Sequence, residues 1–140
     1  MKKPLLILGA VVVLFLLGHR MFGYTTVYLV AYGAFSLMAA FMAATFFWLW
    51  SKRATPLALG MAFSWAGAAC VMGWWWLINI TEVPTWVLKN PVLLDFLAIY
   101  FVGVVLHFQV IGRSFGLPTR AAMYPIIAAV TISAISVMML

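Results

Sequence analysis

Five long apolar runs, divided by short polar breaks, take up almost the whole chain; they cover residues 5–24, 27–50, 57–80, 92–112 and 121–140. Each holds about twenty residues, and a helix of that length, rising about 1.5 Å per residue, crosses the roughly 30 Å hydrocarbon core of a bilayer. The breaks contain the residues that end helices. Ser51-Lys52-Arg53-Ala54-Thr55-Pro56 closes the second run, and residues 113–120, with Gly116 and Pro118 among them, turn the chain sharply after the fourth. The longest break, residues 81–91, contains Pro84, Trp86 and Leu88, a composition that suits a segment lying in a membrane interface. At its end Asn90 and Pro91 supply an N-cap and a first helical residue for the fourth run. The pattern predicts an all-α membrane protein, a single domain of five transmembrane helices in a small bundle.

The first run needs a separate decision. Lys2 and Lys3 followed by the apolar residues 5–17 have the form of a signal peptide, yet no small-x-small cleavage site follows Gly18-His19-Arg20. We expect a retained anchor that continues through Met21, Phe22 and Tyr24, with Arg20 reaching toward the far surface.

Composition agrees with the pattern. The chain is 68% hydrophobic and 7% charged, where a soluble domain carries about 25% charged residues. Its net charge of +6 does not point to nucleic acid, because the basic residues are scattered through short breaks and form no patch interleaved with aromatics. They read instead as topology signals. With the N-terminus inside, Lys2, Lys3, Lys52, Arg53, Arg113 and Arg120 are cytoplasmic, and only Arg20 and Lys89 lie outside. Both acids, Glu82 and Asp95, then fall on the outer side. The expectation is a multi-pass protein of the plasma membrane (a bacterial inner membrane), N-terminus cytoplasmic and C-terminus outside. The single cysteine, Cys70, sits within an apolar run; it forms no intrachain disulfide and reads as a small packing residue.

Polar side chains inside hydrocarbon need partners or a purpose, since a charged one at mid-helix costs roughly 2.5–3.5 kcal/mol. The fourth run carries three: Asp95, His107 and Gln109. Asp95 lies about one turn below the outer surface, level with His19, Arg20 and Lys89. An interhelical ion pair with Arg20 is the simplest reading; a carboxylate that binds a cation or cycles a proton is the alternative. His107 lies near the inner surface at the depth of Thr45 and Ser64, with Gln109 and Tyr124 slightly nearer that surface. This inner polar layer is expected to hydrogen-bond across helices, at about 0.6 kcal/mol per bond. The alternative is a haem, pigment or quinone held at His107.

Several specific chemistries fail on spacing. A bis-histidine haem needs His19 and His107 at one level, but they sit in opposite leaflets, roughly 15–20 Å apart along the helix rise. A proton wire along the fourth run fails because Tyr100 and His107 share a face while Asp95 is turned about 120–140° away. Ser64 with His107 lacks the strained elbow and oxyanion donors of a serine hydrolase. Met38 and Met42, four apart, resemble a thioether pair for copper but have no histidine or cysteine beside them.

Helices in lipid associate by close packing, so small residues mark their contact faces. The second run offers Gly33, Ser36, Ala40 and Ala44. The third offers Gly60, Ser64 and either Gly67 or Ala68 on one face and Ala69 and Gly73 on another. The fifth offers Ala121, Pro125, Ala129 and Ser133. These faces exceed what a loose five-helix bundle requires, and no break is long enough for a soluble catalytic domain. The expected function is non-enzymatic: a small accessory or structural subunit of a larger membrane complex, with no predicted cofactor. Its partners would be the lipid bilayer and other membrane subunits or copies of itself. A small oligomeric transporter or channel using Asp95 and His107, and a haem-, pigment- or quinone-binding subunit, are the alternatives.

Overall fold

The computed structural model describes residues 2–81 and 84–139, without the side chains of Lys2, Thr85 and Leu88. The expectations placed on Glu82 and on the Leu88 side chain lie outside the described residues. Helix α1 (Lys2–Phe22) gives way to α2 (Tyr24–Arg53) across one residue, Gly23. Its φ of 81° and ψ of 165° define a conformation that is essentially open to glycine alone. The Gly23 N–H donates to the His19 carbonyl at 3.0 Å and closes α1. The first two expected spans are therefore helices that follow one another without a loop.

The other boundaries also have local causes. Helix α2 ends at Ala54, whose left-handed φ of 47° lets its N–H donate to the Trp50 carbonyl. Pro56, two residues on, opens α3 (Pro56–Thr81). A 3₁₀ turn at Thr85–Lys89 fills part of the longest break, with Trp86 exposed, and α4 (Val92–Ser114) follows. Asn90 caps α4 as expected, its Oδ1 accepting the Val92 N–H at 3.0 Å. At the far end Gly116, at φ 68°, allows Leu117 N–H to reach the Gly112 carbonyl at 2.9 Å and Gly116 N–H to reach that of Arg113 at 3.1 Å. This is the paired-bond ending that glycine confers on helices, and Pro118 prevents continuation. A second 3₁₀ turn, Thr119–Met123, leads into α5 (Tyr124–Met138). Counting that turn with α5, the described residues contain five helices long and apolar enough to cross a membrane.

Helix α3 is the centre. It packs against α2 on one side and α4 on the other, whereas α1, exposed along almost its whole length, touches chiefly α2 near their junction, and α5 is tied in mainly through its leading turn, which packs on α4. Small residues set both α3 contacts. Toward α2, Ser36 Oγ donates to the Ala69 carbonyl at 3.0 Å, and a Cβ added at Gly73 would stand 2.8 Å from that hydroxyl. Gly33 lies under the Trp76 ring, 2.5 Å from where a Cβ would be. The contact stripe on α2 is Gly33, Ser36 and Ala39, all buried. Ala40 and Ala44, expected in that stripe, are exposed, because the face covered by α3 follows steps of three residues and not of four.

Toward α4, the expected set Gly60, Ser64 and Gly67 forms the seam. A Cβ at Gly60 would stand 3.0 Å from His107 N, and one at Gly67 would stand 2.5 Å from Tyr100 N. Gly103 completes the seam from the α4 side, where a Cβ would overlap the backbone nitrogen and Oγ of Ser64. On α5, Ala129 and Ser133 are exposed. The buried apolar residues among those described are Ala39, Ala58, Ala62 and Ala122, and no large side chain is fully buried. Backbone approach through small residues, with bulky side chains turned outward, is how helices associate when hydrophobic burial gives no driving force.

Candidate functional site

The seam between α3 and α4 has a cleft on one flank. Glycines at positions 60, 67 and 103 draw the two backbones together, so the large residues beside them are displaced sideways and frame an opening. The cleft has a volume of about 470 Å³. Phe35 of α2, Met61 and Trp65 of α3, and Tyr100, His107 and Phe108 of α4 form its walls, and its surface is mainly apolar. Tyr100 and His107, seven residues apart, share the cleft face as the helical period predicts. Tyr100 is 41% exposed, so the cleft opens to the side of the bundle. His107 is half-buried, its backbone held against Gly60 and its ring tilted beside Phe108 at 6.4 Å between centroids.

The expected inner polar layer is only partly assembled. Ser64 lines the cleft with His107, but its Oγ is pressed against Gly103 and has no hydrogen-bond partner. The pair therefore forms no dyad. A buried hydroxyl without a partner is destabilising, so Ser64→Ala is expected to raise stability by about 1 kcal/mol in thermal unfolding. A stability loss in that variant would mean the hydroxyl is bonded after all. Thr45 is exposed and its hydroxyl donates back to the Phe41 carbonyl of its own helix at 2.8 Å. Gln109 is half-buried but, two residues beyond His107, points to the other side of α4. Tyr124 is 68% exposed and stands apart from the cleft.

The expected outer polar group is also not gathered. Asp95 is exposed in the first turn of α4, and among the described residues no ion pair joins it to Arg20 or His19. Arg20 lies in a shallow recess with Val13, Leu16 and Leu17 of its own helix, and His19 meets Tyr24 edge-on at 6.2 Å. The positive end of the α4 dipole takes the part expected of Arg20, an interaction of about 0.3–1 kcal/mol. From Tyr24 the aromatic contacts continue along α2 through Tyr28, at 5.8 Å, to Tyr32, at 4.3 Å.

Comparison of the chain with family models, with curated proteins and with solved structures finds no match. The site is therefore read from its own residues. Phe35, Met61, Trp65 and Gly103 were not legible as site residues from depth and polarity alone. Gly103 carried a usable signal, because it stands midway between Tyr100 and His107 on nearly the same face of the helix.

Proposed function

We propose that this chain is a multi-pass integral protein of a plasma membrane, such as a bacterial inner membrane, with its N-terminus cytoplasmic and C-terminus outside. Within it the chain acts without chemistry of its own, as an accessory subunit that packs into a larger membrane assembly. The observation that carries this reading is the disposition of the polar side chains. Thr45, Ser51, Asn79, Thr81, Ser114 and Ser136 each bond a backbone carbonyl of their own helix, at 2.6–3.1 Å. A transport path needs such groups turned into a common passage, and a catalytic site needs them converging on a reacting atom. Self-bonded hydroxyls suit a packing element better than either.

The uneven packing supports the same reading. Both small-residue faces of α3 are filled inside the chain, yet Ala129 and Ser133 on α5 remain open beside Phe101 of α4. A membrane helix from another subunit or a second copy would approach closely there. The test is the mass of the particle purified in mild detergent, measured by light scattering with the detergent subtracted. A particle heavier than the 15.5 kDa chain is expected, reduced to the single chain by Ala129→Trp. A monodisperse single chain from the unsubstituted protein would end the proposal.

A further inference from the structure

We infer that the cleft beside His107 binds a lipid-soluble, flat-ringed compound carrying a hydrogen-bonding ring oxygen, of the quinone class. A volume of about 470 Å³ accommodates one ring headgroup and the start of a tail. Phe35, Trp65, Tyr100 and Phe108 present faces and edges on which a ring stacks, and the Met61 thioether adapts to its outline.

The polar groups select the ligand. Tyr100 and His107 share the cleft face of α4, and among the described residues neither side chain makes a hydrogen bond within the chain. This sets them apart from Thr45, Ser114 and Ser136, which satisfy themselves on their own helices. Beside hydrocarbon, an unbonded hydroxyl and imidazole are costly, and a ligand oxygen bonded to either ring relieves part of that cost. A phospholipid headgroup suits the cleft poorly, because no lysine or arginine lines it to meet a phosphate. The two carboxylates of a haem would meet the same lack. Depth agrees with a ring compound buried below the headgroups: His107 precedes Arg113 by six residues, about 9 Å of helix.

The inference rests on the bilayer placement proposed above, which extraction of membranes with alkaline carbonate tests independently. To test the site itself, the purified protein in mild detergent is titrated with decylubiquinone and bound ligand is measured by equilibrium dialysis against protein-free micelles. Saturable binding of one molecule per chain is expected. His107→Leu should weaken it about 10-fold through loss of the hydrogen bond. Ile111→Trp, at the exposed rim of the cleft, should abolish it by filling the mouth. Because that rim position tolerates bulk, it remains informative if His107→Leu fails to fold. Thr45→Val, away from the cleft, should bind as the unsubstituted protein does. Uptake that never saturates, or saturable binding indifferent to either cleft substitution, overturns the inference.

Discussion

Gly103→Leu is expected to separate α4 from α3 and to lower stability by about 3 kcal/mol or more, with Gly103→Ala already costing about 1–3 kcal/mol. A Cβ at this position runs into the Ser64 backbone nitrogen and Oγ, and a backbone atom cannot move without shifting its helix. Gly67→Ala meets the same obstacle in Tyr100, whose N and Cα would stand 2.5 and 2.6 Å away. Two other glycines give the contrast. At Gly33 the obstructing atoms belong to the Trp76 ring, which can swing aside, so the penalty there is smaller. At Gly9 nothing lies within 4 Å, and alanine should gain up to about 1 kcal/mol of helix propensity. Unfolding in detergent titrated with SDS, followed by tryptophan fluorescence, ranks the variants. If Gly103→Ala and Gly9→Ala shift the midpoint in the same direction and by similar amounts, the seam is not held by close backbone approach.

The helix boundaries were legible because each has a local cause. Asn90 with Pro91, Gly116 with Pro118, and Pro56 act through their own backbone geometry, which a sequence displays directly. The two faces of α3 were legible for a similar reason, since Gly60 and Ser64 on one side and Ala69 and Gly73 on the other mark where a neighbour comes close, while the choice of Gly67 over Ala68 waited on the position of Tyr100. What the pattern does not contain is the crossing geometry of the neighbour. Helix α2 has small residues at steps of both three and four from Ser36, and only the arrival of α3 selects Ala39 over Ala40. Depth proved a weak guide to contact for the same reason. Arg20 and Asp95 sit on α1 and α4, helices that each pack on others, and Thr45 found its partner four residues back on its own helix. His107 was legible as a candidate ligand residue, but the walls around it were not, because they are ordinary bulky residues whose arrangement follows from glycines that pull the backbones together beneath them.

Labelling of engineered cysteines is expected to be all-or-none. In a Cys70→Ala background, Lys89→Cys should react with a membrane-impermeant maleimide in intact cells, and Lys52→Cys should react only after lysis. Lys52 and Arg53 close α2, and Arg113 and Arg120 flank the turn between α4 and α5, at the same end of the packed α2–α3–α4 helices. In the proposed orientation Lys2 and Lys3 join them, which puts six of the eight basic residues on the cytoplasmic side and leaves Arg20 and Lys89 on the other. Retention of lysine and arginine in the cytoplasm acts strongly on breaks as short as these, while acids contribute little, so Asp95 does not alter the balance. The same labels fix the leaflet of the cleft. His107 lies about 9 Å along the helix from Arg113, so a protected Lys52→Cys puts the cleft mouth in the cytoplasmic leaflet. A bound ring would then enter sideways from that leaflet, without crossing the membrane. Strong labelling of Lys52→Cys in intact cells would invert the bundle and move the mouth to the outer leaflet.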